Sequence, residues 1–260
     1  MSAMTNGFET TVLNTFRGTA ATAPQNVYLA LFLSSPTESG TAGMEVSYSG
    51  YVRQKITFSA PAASGTDVSI QNNALITFPT PPGASGTATY GAIMDDISGG
   101  DVLVYCQLNS PIALTSEVSP RLDEGDVKLV ISAGNFTANF KNKILNYLRG
   151  TNIAGFEPHL ALYDGSPEEG GAELSGSGYA RLPLIFGAPS EQVSGQMEIR
   201  NTNAAQSNAA IAWGTWAYGA IMDAETSGNC VAYKANAGQY VMDSGAKAYI
   251  DANSISMAVN

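Results

Sequence analysis

The sequence predicts a mainly β protein: two tandem homologous β-sandwich-like domains, each opened by one short N-terminal α-helix. Three observations carry that expectation. The hexapeptide YGAIMD occurs at Tyr90–Asp95 and again at Tyr218–Asp223. Longer blocks around it recur in the same order. Between the blocks, short apolar or alternating runs are separated by Gly, Ser, Pro and Asn clusters, the pattern of many short strands joined by turns.

The repeated blocks place each element. FETTVLNTFRG at Phe8–Gly18 matches FKNKILNYLRG at Phe140–Gly150, and YLALFLSSP at Tyr28–Pro36 matches HLALYDGSP at His159–Pro167. EVSYSGYVRQ at Glu45–Gln54 matches ELSGSGYARL at Glu173–Leu182, and ITFSAP matches LIFGAP. After the hexapeptide, SGGDVLVY at Ser98–Tyr105 faces SGNCVAY at Ser227–Tyr233, and DEGDVKLVI at Asp123–Ile131 faces DSGAKAYI at Asp243–Ile250. Constant order with small drift in spacing indicates tandem duplication, with domains at 1–133 and 134–260. A copy of this length has the size of an ordinary domain, and two in line would give an elongated molecule.

Phe8, Val12, Leu13 and Phe16 fall at helical spacing, as do Phe140, Ile144, Leu145 and Leu148. Gly18 and Gly150 stop the two helices, and Asn6 with Glu9 suits a capping box at the first. The apolar stripe is expected to pack on the domain's own sheet. Docking of the first helix onto a partner groove is the alternative, which makes Phe8, Val12 and Phe16 candidate partner-contact residues. VYLALFL, YVRQKITF, LITF, ATYGAIM, DVLVYCQL and VKLVIS follow as strands. In the hexapeptide, Tyr90, Ala92 and Met94 face one way and Gly91 and Ile93 the other. Gly91 and Gly219 suggest close approach of another group to a central strand.

Composition narrows the function. The chain has 260 residues and a net charge of −10, and only 13% of its residues are charged. An acidic surface argues against nucleic acid and against an anionic membrane. No apolar run reaches the roughly 20 residues of a membrane helix, and no signal peptide is evident. Synthesis in a host cytoplasm is the expectation. Cys106 and Cys230 do not occupy matching positions and read as free thiols.

Chemistry common to both copies should leave common polar residues. These are Glu45/Glu173, Arg53/Arg181, Asp95/Asp223, Asp123/Asp243 and Arg17/Arg149. Turn-forming and ion-pairing roles account for them better than paired-carboxylate catalysis. His159 is the sole histidine and begins an apolar strand, so neither a histidine metal site nor a histidine acid–base pair exists. DAETSGN at Asp223–Asn229 starts like a calcium loop, but Lys234 stands where the closing Glu belongs and Ile97 breaks the pattern in the first copy. Trp213 and Trp216 occur only in the second copy, one for the core and one exposed, which adds Trp216 to the candidate contacts. No catalytic, cofactor or metal residue is expected.

The whole order resembles a family of tailed-bacteriophage virion proteins usually labelled phage tail fibre or minor tail protein. It runs from the helix through YLALF…SP, SGY-x-R, ITFSAP, YGAIMD and SGG-x-x-LVY to GD-x-KL-x-I. The resemblance covers Phe8–Ile131 and, more loosely, Phe140–Ile250. It implies a non-enzymatic virion structural protein, tail-associated, forming homo-oligomers and assembling with other virion subunits. A capsid head decoration protein is one alternative, and a carbohydrate-binding β-module that attaches to a host surface glycan is another.

Overall fold

Each helix is capped by a threonine, and at the first it is Thr5 rather than the expected Asn6. Thr5 Oγ1 accepts from Phe8 N and itself donates to Val102 O at 2.6 Å. Thr137 repeats this with Phe140 N and Cys230 O. Tied to a strand as well as to the helix, the threonine fixes where the helix starts. Glu9 is therefore one residue too far along to close a capping box. The ends follow expectation: Gly18 and Gly150 have φ of +79° and +85°, the left-handed conformation that glycine adopts without strain.

The computed structural model describes residues 2–132, 134–210 and 212–259. The expected boundary residue, Ala133, lies outside the described residues. The first half runs β1 (Ser2–Met4), α1 (Asn6–Asn14), β2 (Val27–Phe32), β3 (Gln54–Ile56), β4 (Ala62–Ser64), β5 (Asp67–Gln71), β6 (Ile76–Thr77), β7 (Thr87–Met94), β8 (Val102–Ala113), β9 (Arg121–Leu122) and β10 (Lys128–Ile131). The second runs α2 (Ala138–Tyr147), β11 (His159–Tyr163), β12 (Leu182–Pro183), β13 (Ser190–Glu191), β14 (Met197–Arg200), β15 (Ala205–Gln206), β16 (Gly214–Met222), β17 (Cys230–Met242), β18 (Tyr249–Ile250) and β19 (Ser256–Ala258).

Both halves are mainly β and share one topology. A main sheet, β1-β8-β7-β2-β3 or β12-β11-β16-β17, accompanies a small sheet, β10-β5-β4 or β13-β14-β19. The pairs β6-β9 and β15-β18 complete the two sets, and every ladder is antiparallel. The hexapeptide strands β7 and β16 lie inside their sheets. Ile93 enters the core between sheets, while Ala92 and Met94 form a separate cluster on the outer face with Ala30, Phe32 and Val102.

The structure corrects one alignment. Asn72 accepts from Val127 N and donates to Asp123 O; Asn201 makes the same bonds with Ile255 N and Asp251 O. DEGDVKLVI is thus equivalent to DANSISMAV at Asp251–Val259, and Asp123 pairs with Asp251, not with Asp243. Asn253 replaces Gly125 at a positive φ, +65° against +87°, which asparagine tolerates better than most side chains.

The halves are not arranged in line as separate bodies, because one hydrophobic core runs through both. α1 packs against β8 of its own main sheet and against β14 and β19 of the other half; α2 packs against β17 and against β5. Ala21 and Ile153, each three residues beyond its helix-ending glycine, exchange backbone hydrogen bonds of 2.8 and 3.0 Å. Equivalent residues bonding each other reciprocally mark a local two-fold relation, as in an isologous dimer. A Cβ on Gly155 would collide with the Gly18 backbone, so glycine is required at this crossing.

Phe8, Val12 and Phe16 are consequently unavailable to a separate partner, with 2%, 0% and 0% of their surfaces exposed. Their groove is supplied by the other half. Phe16 lies 4.8–6.0 Å, ring to ring, from Phe136, Phe140, Phe156 and Phe186, and Phe8 lies 5.1 Å from Tyr147. Such pairs add about 0.5–1.5 kcal/mol each beyond the area they bury.

Glu9 and Lys141 occupy equivalent junction positions and are both buried. Glu9 Oε2 accepts from Met197 N at 2.8 Å, and Lys141 Nζ donates to Thr66 O at 2.6 Å. Burial raises the Glu9 carboxyl from 4.5 to about 7; the Met197 bond opposes this and the Glu38 carboxylate adds to it. Burial lowers Lys141, against the pull of Glu168 and Asp67. A carboxyl raised on folding stabilises the fold most below its unfolded pKa, and that contribution is lost as pH rises through the folded one. Unfolding measured across this window should show wild type losing about 2–3 kcal/mol between pH 4.5 and 7 through this group. Glu9→Gln, which keeps the acceptor for Met197 N, should flatten the curve and be the more stable form at pH 8.

Candidate functional site

Two of the polar pairs shared by both halves, Glu45/Glu173 and Arg53/Arg181, form one arrangement, made twice. Arg53 Nε and Nη2 donate to Glu45 Oε1 and Oε2 at 2.8 and 2.7 Å, and Nη1 donates to Asp96 O and Gly99 O at 2.8 and 2.6 Å. Arg181 makes the same fork with Glu173, at 2.8 and 2.7 Å, and reaches Ala224 O and Ser227 O at 2.7 and 2.6 Å. The tyrosine two residues before each arginine completes the set. Tyr51 and Tyr179 donate to the glutamate and accept from Leu31 N and Leu162 N on the adjoining strand. A planar guanidinium suits this bidentate geometry. The glutamate bond raises both arginines, and burial raises both tyrosines.

The clasp holds the loop that follows each hexapeptide. Asp95 Oδ1 accepts from Asp101 N and Asp223 Oδ1 from Asn229 N, both at 2.6 Å. A Cβ on Gly100 or Gly228 would collide with that aspartate. Burial disfavours the Asp223 carboxylate, but its bonds from Asn229 and the Lys143 ammonium at 3.5 Å together hold it below its usual value. Asp223–Asn229 is therefore a hairpin turn with its first carboxylate already engaged. Among the described residues, no three His, Cys, Asp or Glu side chains gather as a metal would require. Glu45 and Asp123 do not converge, and each has its own local partners.

Tyr51/Tyr179 and Asn72/Asn201 are not among the shared residues that the sequence singles out. SGY-x-R in both copies, and QNNA against RNTNA, carry the signal. Arg17 and Arg149 each bond the asparagine three residues earlier. His159 is buried at the start of β11, its Nδ1 3.0 Å from Glu157 O. Cys106 and Cys230 are half-buried free thiols, and burial pushes Cys230 up to about 12. Trp213 lies in the core and donates to Ser177 O at 3.0 Å. Trp216 is half-buried rather than exposed, 6.0 Å from the Tyr240 ring.

Each half also holds a cleft between its two sheets. The first, of about 490 Å³, lies between β7–β8 and β10; the second, of about 300 Å³, lies between β16–β17 and β19. Gly91 and Gly219 occupy matching places in their walls. A Cβ there would meet Leu108 and Leu29, or Leu160, at 3.4–3.6 Å, which is ordinary contact. The expected tight approach is thus absent at these glycines; approaches that exclude a Cβ occur elsewhere, as at Gly100, Gly155 and Gly228. No helix among the described residues is long and apolar enough to cross a membrane.

The polar residues shared by the two halves of this antiparallel β protein thus brace its own loops. A family described as Podophage GP4 fiber I protein gp80 matches residues 3–130 and again residues 135–258, and the chain belongs to that family. No curated protein matches it. Membership assigns a phage tail fibre structural role, with location in the virion among other virion components. It gives no support to the capsid-decoration alternative.

If the clasp sets loop order, Arg181→Ala should cost about 2 kcal/mol in chemical unfolding. Amide exchange should quicken at 224–229 while the matching loop at 96–101, still held by Arg53, keeps its protection.

Proposed function

We propose that the protein is a non-enzymatic fibre component of a phage tail that assembles with other virion subunits through surfaces that differ between its halves. The observation that carries this reading is the engagement of Glu45 and Glu173. Both sit in bidentate pairs with a buried arginine and take a tyrosine hydroxyl as well. A carboxylate fixed in this way is a poor proton carrier and nucleophile, since catalysis requires a group free to change its bonding. The same pairs hold exposed loops in one conformation, which suits presentation to another subunit.

The divergent exteriors support a hetero-assembly role. The first loop presents Ile97, exposed to 47%, and the second presents Glu225 at the matching turn. The test is electron microscopy of virions carrying an epitope inserted after Val193, in the exposed turn between β13 and β14, and decorated with gold-labelled antibody. Label on the tail is the expected result. Label confined to the head would overturn the assignment.

A further inference from the structure

The two sides of the junction are built from the same parts, with one charge reversed. Tyr105 and Tyr233 stand at matching register, opposite Ala92 and Ala220. Tyr105 donates from its hydroxyl to Glu38 at 2.9 Å, and Tyr233 donates to Glu168 at 3.1 Å. Each glutamate then acts on the buried helix residue of its own half: Glu168 attracts Lys141, but Glu38 repels Glu9. Each helix residue also bonds the backbone of a hairpin from the other half. Lys141 holds Thr66 O, in the turn between β4 and β5; Glu9 holds Met197 N, where the turn between β13 and β14 ends. Glu38 faces that second turn too, since a Cβ on Gly195 would touch its Cγ at 3.6 Å.

Two carboxyl groups of the first half therefore meet one hairpin of the second, and no cation offsets them. Among the described residues, neither pairs with a Lys or Arg. The turn at 192–196 and strand β19 carry no titratable side chain, and Glu191 on β13 is exposed. On β14, Glu198 and Arg200 pair with each other. On β8, burial and the Glu38 bond push the Tyr105 hydroxyl up to about 12, so it keeps its proton. Arg17, at the far end of the first helix, bonds Asn14. Glu9 is only 3% exposed, so a charge there is denied water unless the hairpin moves. We propose that the β13–β14 hairpin is a proton-controlled latch: it is seated on the first helix while Glu9 is protonated, and it lifts when Glu9 is ionised. The Met197 bond favours the ionised form, but burial outweighs it. Lifting hydrates both carboxylates. The other side of the junction stays shut, because Lys141 has Glu168 and Asp67 as counter-charges. The latch does not depend on the role in the tail.

The Met197 amide reports the latch, because its acceptor is Glu9 itself. Hydrogen exchange of the ¹⁵N-labelled full chain is followed from pH 5 to 7.5 and corrected for the intrinsic rate. A group that titrates near 4.5 when lifted and near 7 when seated should cut Met197 protection by about fiftyfold over this range. The interior strands β7 and β16 should exchange more slowly than Met197 at every pH, which marks the opening as local. The β4–β5 hairpin, held by Lys141, should keep its protection. Glu9→Gln, which retains the acceptor, should hold Met197 protection constant across the range. Glu38→Gln, which removes the like charge, should move the fall to lower pH. Unchanged protection of β7 and β16 confirms that each variant is folded. Met197 protection that stays constant in wild type overturns the proposal. So does the same fall in folded Glu9→Gln, or exchange of Met197 only in step with β7 and β16.

Discussion

Phe16 stands at the end of the first helix, but the four phenylalanine rings around it all come from the second half. The rest of the molecule depends on this packing. Each half has a main sheet, a small sheet and one helix, and each helix covers the other half's small sheet. Removing one half would expose apolar helix and sheet surface on the other, a large loss when folded proteins are stable by only about 5–15 kcal/mol. The reciprocal Ala21–Ile153 bonds and the Gly155–Gly18 crossing set how closely the halves approach. The duplication made an intramolecular dimer.

Against that constraint, the divergence between halves has a pattern. Residues that brace a half from within are the same twice: the threonine cap, the Glu–Tyr–Arg clasp, the Asn72 and Asn201 anchors, and the aspartate turn. Residues at the junction differ in complementary ways. Glu9 meets a backbone N–H where Lys141 meets a carbonyl, and Phe16 occupies the position of Leu148. Two positions in a true homodimer must carry the same side chain, whereas a covalent pair is free to fit each side separately. The clefts differ too, with Leu108 and Cys106 in the first where Asn236 and Lys234 stand in the second.

The architecture within each half was largely legible in the sequence. Verbatim repetition of YGAIMD marked interior strands, and Gly18 and Gly150 marked helix ends. Their chemistry is local, so local pattern suffices. The hairpin of β4 and β5 is hidden, although Val68 and Ile70 alternate with polar neighbours, because Ser and Gly around them read as a turn cluster. β10 is matched to the wrong partner because DSG resembles DEG more closely than DAN does, while the backbone requires only a residue that tolerates positive φ. The clasp is half visible: its charged pair stands out, and its tyrosine does not. The junction is not legible at all. An apolar helical stripe states that it will be buried, and nothing in its spacing states by which sheet. Phe8, Val12 and Phe16 look identical whether the groove belongs to their own half, to another protein or to the second copy.

A shared core makes a definite thermodynamic claim: the halves cannot unfold separately. Differential scanning calorimetry of the full chain tests this most directly, by comparing the measured enthalpy of unfolding with the van't Hoff enthalpy from the shape of the transition. One transition with the two enthalpies equal, the mark of a single cooperative unit, is the result the structure predicts. Two resolved transitions, or a calorimetric enthalpy near twice the van't Hoff value, would show independent domains and contradict it.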